Sequence, residues 1–264
     1  MTTHLTGTPV ETFMDALRSA KQGVLMLDFD GTLAPFAVNR MEVQVYEPVL
    51  ELLQRIVQET PSRVVLISGR RASEVKQLAA GLSGLEIWGS HGAERILRDG
   101  RYEATPASEQ IDRVLDRAYA ALARKGLGSQ LERKVGSVAI HWRGFTEKRQ
   151  SDIRESALNE WIQFSSWPQF RVLDFDGGLE LHGMACDKGI AVRTVLEDSP
   201  VGSPAAYLGD DVTDEAAFQA ISERGLGILV RPEPRPTAAQ VWLKPPEELF
   251  QFLQRWFFAV GGAQ

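Results

Sequence analysis

The sequence predicts an α/β protein in which a doubly wound parallel sheet is interrupted by a smaller α/β domain. Three observations carry this. Short apolar runs alternate with segments of helical periodicity at both ends of the chain, the pattern of strands buried on both faces and joined by crossover helices. Between about residues 107 and 183 the rhythm changes to α-β-β-α-β-β, with glycine-centred hairpins where the flanks have single crossovers. With 264 residues the chain can bury one large core or two modest ones.

The elements follow in order. After a polar start, "VETFMDALRSAKQG" reads as a short amphipathic helix. "GVLMLDFDG" is a continuous apolar run ending in acid and glycine, as a buried parallel strand should. "YEPVLELLQRIVQET" has apolar residues at helical spacing, with Pro48 suited to a first turn. "RVVLISGR" is a second buried strand, "RASEVKQLAAGL" a second helix, and "LEIWGSHGAE" a third strand entering a glycine-rich loop. Strand, helix, strand, helix, strand is the Rossmann-like pattern, in which ligands collect at the carboxyl ends of the strands.

A hairpin signal, "LRDGRY", closes this first half. Residues 107–125 then predict a helix, "LERKVGSVAIHWR" two strands around Gly136, "EKRQSDIRESALNEWIQF" a helix, and "FRVLDFDGGLELH" two strands around Gly177-Gly178. From Asp187 the alternation resumes: "KGIAVRTVLED", "AAYLG", "DEAAFQAI", "LGILV", "VWL" and "PEELFQFLQRWFFAV". The aromatic "RWFFAV" suits core packing of a last helix. The domains are therefore expected at 1–106 with 184–264, and at 107–183, with hinges near 104–108 and 183–187.

A net charge of −6 speaks against nucleic acid or anionic membrane as a partner, since both require concentrated positive charge. It leaves a small anionic substrate open, because a metal or a few cations can reverse the sign inside one cleft. Cys186 is the only cysteine, which excludes a disulfide within the chain and a thiolate metal cluster. No apolar run approaches ~20 residues and no secretory pattern opens the chain, so a cytoplasmic protein is expected.

The tetrapeptide DFDG occurs twice, at 28–31 and 174–177. The first copy ends a buried run and is followed by Thr32. The second lies between alternating segments, where Asp176-Gly177-Gly178 reads as a tight turn. Asp28 and Asp30 are thus the chemical pair. One carboxylate can attack phosphorus, splitting a hard displacement into two, while a second protonates the leaving oxygen and later activates water. Two anions facing a phosphate need a divalent cation and a lysine beside them. "LGDDVTDE" offers Asp210 to complete a metal site with Asp28, and Asp211 and Asp214 to hold the metal's waters, a set suited to magnesium. Lys188, opening a helix, and the Ser68 hydroxyl can reach phosphate oxygens. Singly each is weak, since an aspartate at a strand end is commonly a turn residue; their order along the chain gives them weight.

Asp28 with Asp30, Ser68, Lys188 and Asp210 resemble the four motifs of the haloacid dehalogenase superfamily. More narrowly, "DFDGTL", "SGR", "GSHGAE", "AIHWR" and "GDDVTDEAAF" resemble the trehalose-6-phosphate phosphatases. The resemblance implies magnesium-dependent hydrolysis of trehalose 6-phosphate, a mobile cap in the inserted block, and a functional link to a trehalose-6-phosphate synthase; a monomer is expected. It makes Asp28 the nucleophile, Asp30 the acid/base with its carbonyl on the metal, and Thr32, Ser68 and Lys188 catalytic. Its sugar contacts fall on Gly69, His91 and Gly92, and on Glu132, Lys134 and Glu180. Glycines around His91 suggest an accessible loop residue, while Glu132 and Lys134 share a strand face by alternation, as do Glu180 and His182. His141 and Arg143 suit a supporting role. Many members of that family follow the last glutamate with Arg-Pro; Glu180-Leu181-His182-Gly183 stands here, which keeps another glycosyl phosphate, of sucrose or glucosylglycerol, as an alternative substrate. A sugar phosphomutase is a further alternative, disfavoured by the hairpin-rich cap.

Overall fold

The structure, a computed structural model, describes residues 7–105, 107–183 and 186–261. The chain divides into two compact units, one formed by residues 1–103 with 187–264 and the other by 104–186. The expected inserted block began at 107 and ended at 183. Of the expected hinge segments, residues 106, 184 and 185 lie outside the described residues.

In the first unit, α1 (Thr8–Ser19) precedes β1 (Gly23–Leu27), α2 (Glu47–Glu59), β2 (Ser62–Ile67), α3 (Ala72–Leu78), β3 (Glu86–Gly89), β4 (Glu94–Ile96) and β5 (Tyr102–Ala104). After the second unit come α6 (Lys188–Glu197), β10 (Ala205–Gly209), α7 (Glu215–Ile221), β11 (Gly225–Val230), β12 (Val241–Leu243) and α8 (Glu247–Ala259). The sheet order is β12-β11-β10-β1-β2-β3-β4-β5, parallel from β12 to β3. β1 lies between β2 and β10, with Leu27 level with both Leu66 and Leu208. That register brings the carboxyl ends of three strands together, and Asp28, Ser68 and Asp210 lie just beyond them.

Alternation along the strands splits the core into two layers. Leu25, Leu27, Val64, Leu66, Ala206 and Leu208 pack with Leu53, Ile56, Phe252 and Trp256 of α2 and α8. Val24, Met26, Val65, Ile67 and Tyr207 face the other way, onto Ala191, Val192 and Phe218 of α6 and α7. Trp256 and Phe257 of the aromatic tail are buried as expected, whereas Phe258 is half exposed.

The second unit contains α4 (Glu109–Leu122), β6 (Leu131–Lys134), β7 (Ser137–His141), α5 (Glu147–Ser165), β8 (Arg171–Phe175) and β9 (Gly178–His182). Its antiparallel sheet runs β6-β7-β9-β8. Leu115, Ala118, Leu122, Ile153, Ala157 and Trp161 of the two helices bury Val138, Ile140, Leu179 and Leu181 of the sheet. Ser108 and Thr146 cap the helices, each hydroxyl accepting a first-turn amide. The helix expected over 107–125 is shorter, because the chain widens into a looser turn over Ala123–Leu127 and Gly126 takes a positive φ of 78°. The second DFDG is a hairpin: Gly177, at φ 82°, turns the chain between β8 and β9. Asp174 and Asp176 are exposed there, paired with Arg154 at 2.9 Å and Arg143 at 2.8 Å. No helix among the described residues is long and apolar enough to cross a membrane.

Candidate active site

The Asp28 amide makes the last ladder bond of its strand, to the Leu208 carbonyl at 2.8 Å. The chain then coils, the amides of Leu33 and Ala34 both bonding the Phe29 carbonyl, which the positive φ of Gly31, 77°, permits. A methyl group on Gly31 would land on the Asp210 carboxylate, so this turn admits only glycine. Asp187 caps α6 through its carboxylate, which accepts the Ile190 amide at 2.9 Å, and so sets Lys188 in the first turn. The Lys188 ammonium donates to Asp28 and to Asp214, both at 2.7 Å. Asp214 is fully buried; it also accepts the Tyr207 hydroxyl and the amides of Asp210 and Asp211, at 3.0 and 2.9 Å. Asp214, expected with Asp211 to hold metal waters, orients Lys188 and folds the acidic loop.

Asp28, Asp210 and Asp214 bring carboxylate oxygens within 4.8 Å of one another, and all three are buried. Three carboxylates against the Lys188 ammonium leave an excess of two negative charges, the amount a divalent cation neutralises. The ionisation of the site reflects that excess. Burial raises the Asp28 carboxyl to about 7, with Asp214 and Asp30 adding to the rise and Lys188 opposing it. Burial, then Asp28 and Asp214, push Asp210 well above its ordinary value. Burial would raise Asp214 as well, but the Lys188 ammonium and the Tyr207 and Asp211 hydrogen bonds hold it below 3.8. Burial would lower Lys188; Asp214 and Asp28 outweigh it and hold the ammonium charged. All-oxygen donors at Asp28 and Asp210 fit a hard divalent cation. The Thr32 hydroxyl is buried beside this turn with no protein hydrogen-bond partner.

A pH dependence follows. With Asp28 near 7 in the folded chain and near 3.8 unfolded, the ion-free fold binds more protons across that interval, so its stability falls as pH rises from about 4 to 7. A cation on Asp28 and Asp210 would take the protons' place. Melting temperatures with chelator and with a divalent cation should nearly coincide at pH 5 and separate by pH 8. A gap independent of pH would mean that the cation binds elsewhere.

Asp30 has a partner that the sequence reading missed. Arg70, at the end of "LISGR", grips its carboxylate with a two-pronged pair, Nε to Oδ2 at 2.5 Å and Nη2 to Oδ1 at 2.7 Å. Arg70 is itself placed by the Arg40 carbonyl, at 2.6 Å, and Arg40 by Glu74. Ser68 is buried and accepts the Arg70 amide at 3.2 Å.

Ser90, His91 and Gly92 all have positive φ, at 49°, 55° and 97°, a costly run for side chains other than glycine. The Ser90 amide bonds the Arg70 carbonyl at 2.7 Å and the His91 amide the Ser68 carbonyl at 3.0 Å. Glu94, also unforeseen, accepts the Ser90 hydroxyl at 2.7 Å, the Ala72 amide at 3.1 Å and the Tyr102 hydroxyl at 2.9 Å. His91, expected to be accessible, is buried, its ring lying over Gly69, where a Cβ would come within 2.6 Å.

In the second unit Lys134 and Glu180 form a buried ion pair at 2.8 Å, and Glu180 also accepts the Ser137 hydroxyl at 2.5 Å. The His182 Nε2 lies 3.2 Å from Glu180, as alternation along β9 requires. Glu132, two positions along β6 on the same face as Lys134, pairs with His141 at 3.0 Å.

The parallel sheet with Asp28 at the end of its first strand, Lys188 from a distant helix and an acidic loop after β10 define an α/β fold of the haloacid dehalogenase type. A haloacid dehalogenase-like hydrolase from Bacteroides thetaiotaomicron shares this fold over 89% of the chain and 99% of its own, with TM-score 0.60 and 17% identity. The chain belongs to the trehalose-phosphatase family, which matches residues 26–246, and with it to the phosphatases. It is 31% identical over 261 residues to "Probable trehalose-phosphate phosphatase H" of Arabidopsis thaliana, covering 90% of this chain and 73% of that protein. The C-terminal domain of the Candida albicans trehalose-6-phosphate phosphatase superposes with TM-score 0.80 at 18% identity, covering 100% of this chain and 99% of that one. The chain spans between 60% and 73% of the length of curated relatives from Mycobacterium ulcerans and Arabidopsis. The family implies a divalent metal, which the carboxylates of Asp28 and Asp210 fit.

Proposed function

We propose that the chain hydrolyses trehalose 6-phosphate to trehalose and inorganic phosphate through an aspartyl-phosphate on Asp28, with Mg2+ as its cation. The observation that carries this is the buried Asp28–Lys188–Asp214 array beside Asp210 at the ends of β1 and β10. Asp28 Oδ attacks phosphorus, forming the acyl phosphate as the bond to the sugar oxygen breaks, and Asp30, released from the Arg70 guanidinium and carrying a proton, gives it to that oxygen. Asp30, now a carboxylate, takes a proton from water, whose oxygen displaces Asp28 and completes inorganic phosphate. Lys188, Ser68 and Thr32 donate to the phosphoryl oxygens, and Asp214 keeps Lys188 aimed. Asp28, Asp210 and the Asp30 carbonyl would hold Mg2+, which would add positive charge near the phosphoryl oxygens. In this reading the 104–186 unit is the cap, with Glu132, Lys134 and Glu180 as its sugar contacts, and Gly69, His91 and Gly92 serve the sugar from the core. Asp211 caps the acidic loop. A synthase that makes trehalose 6-phosphate is the functional partner this reading requires.

The test is phosphate release with Mg2+ from trehalose 6-phosphate beside the phosphate esters of sucrose, glucose and glucosylglycerol. Preference for the trehalose ester is expected. Preference for another ester would keep the chemistry and move the substrate; the Glu180–His182 contact is where that difference would originate.

A further inference from the structure

The acidic loop between β10 and α7 is held from outside by a segment that the chemistry above does not use. Residues 231–240, "RPEPRPTAAQ", join β11 to β12, and Pro232, Pro234 and Pro236 restrict their backbone. From this segment the Arg235 guanidinium spans the loop. Its Nη2 donates to the Asp211 carbonyl at 2.5 Å, its Nε to the Asp210 carbonyl at 3.4 Å, and its Nη1 to Glu215 at 2.5 Å. Arg231 Nη1 reaches the same Asp210 carbonyl at 3.4 Å. Glu215 is fixed in turn by the Thr237 hydroxyl and the Ala238 amide, both at 2.8 Å.

The peptide groups around Asp210 are therefore fastened on two sides. Their amides point inward to Asp214, and the carbonyls of Asp210 and Asp211 point outward to the two arginines. Such a backbone has little freedom to rotate, and the direction in which Asp210 presents its carboxylate to Asp28 is set by it. We propose that Arg235 is a positioning residue for cation binding, acting through the Asp210 and Asp211 carbonyls; this rests on the cation site at Asp28 and Asp210.

Two effects of removing Arg235 oppose each other. Losing a positive charge near the carboxylates would tighten cation binding, whereas losing the clasp lets Asp210 turn away and weakens it. The guanidinium is mostly buried and ties the Asp210 and Asp211 carbonyls to Glu215 at once, so the positional effect should dominate. Groups that orient metal ligands typically change affinity by about 10–100-fold when removed.

The experiment is titration calorimetry of the whole chain with Mg2+ and with Mn2+, without substrate, on wild type, Arg235→Ala, Arg235→Lys, Glu215→Gln and Asp210→Asn. Arg235→Ala should weaken binding by about tenfold or more. Arg235→Lys, which keeps the charge but cannot span the acceptors, should also weaken it, and Glu215→Gln should do so less. With trehalose 6-phosphate, the half-saturating Mg2+ concentration of Arg235→Ala should rise while kcat at saturating Mg2+ stays within a few-fold of wild type. Unchanged or tighter binding in Arg235→Ala would overturn the proposal, as would a kcat loss that saturating Mg2+ does not restore. If Arg235→Ala does not fold by circular dichroism, Glu215→Gln decides, and unchanged affinity there overturns the proposal. Wild type without binding that is sensitive to Asp210→Asn would refute the cation site itself and this inference with it; normal wild-type binding left intact in Arg235→Ala would refute the inference alone.

Discussion

Asp28→Asn is expected to reduce phosphate release by about 10^4-fold or more while the chain stays folded. The amide keeps the shape of the carboxylate and can still accept the Lys188 ammonium, so the packing around it is unchanged. What the variant lacks is the proposed nucleophile, and with it the proposed route through an acyl phosphate. Stability should move the other way. The site holds three carboxylates to one ammonium, and Asp28 lies far above its ordinary ionisation because of burial and its acidic neighbours. Neutralising it relieves that repulsion, so the melting temperature in chelator at pH 8 should rise while activity disappears. Asp174→Asn, in the second DFDG, is the matched control: Asp174 is exposed and pairs with Arg154, and its loss should leave phosphate release within experimental error of wild type. Activity that survived in Asp28→Asn, or vanished in Asp174→Asn, would overturn the site.

Lys188→Met should damage both activity and stability. The thioether fills most of the space of the lysine stem, but Asp28 and Asp214 lose the ammonium that both accept at 2.7 Å. Removing one partner of a buried ion pair costs about 3–5 kcal/mol, because the remaining charge stays buried without compensation. For a domain of this size that is a fall in melting temperature of roughly 10 °C. Asp214 would then lose the influence that holds it ionised, so the deficit should shrink as pH falls toward 5 and the carboxylates take up protons. Phosphate release should drop by about 10^2–10^3-fold through loss of a donor to the phosphoryl oxygens. Thermal melts across pH and single-turnover assays measure the two effects separately. A variant of wild-type stability would mean that the lysine is not the counter-charge of the site.

Three parts of the site that sequence made legible share one property: each stands directly after a buried apolar run. Asp28, Ser68 and Asp210 could be found because a parallel strand hydrophobic on both faces announces its own end, and the doubly wound pattern says that ligands collect there. The two DFDG copies were separable on the same ground. Lys188 was visible because it opens a helix, whose positive end suits a phosphate. Arg70, Tyr207, Glu94 and Arg235 were not visible as functional residues. Tyr207 reads simply as an apolar strand residue, and only the fold turns its hydroxyl onto Asp214. Arg70 meets Asp30 across 40 positions, and Arg235 meets Asp210 and Asp211 across a loop whose composition reads as generic turn. His91 was misjudged as exposed because the glycines near it suggested an open loop, whereas Gly69 is where its ring packs. Local pattern identifies where a chain stops being sheet; it does not say which distant guanidinium will arrive there.

The order of β1 and β10 in the sheet has a consequence for the history of each molecule. The strand that ends in Asp28 is flanked on one side by a strand that begins at Ala205, and its lysine arrives from position 188. A ribosome has therefore made most of the chain before the central strand gains its second neighbour. The 104–186 unit is continuous in sequence and has its own apolar centre, so it can condense while the larger unit still waits for residues 187–264. Until then the strand that leads to Asp28 lacks its β10 neighbour, an open edge of the kind that can pair with other chains, and Asp28 lacks the Lys188 ammonium. Residue 28 is made early, but the lysine that answers its charge is made only at position 188, so the site is completed late in synthesis.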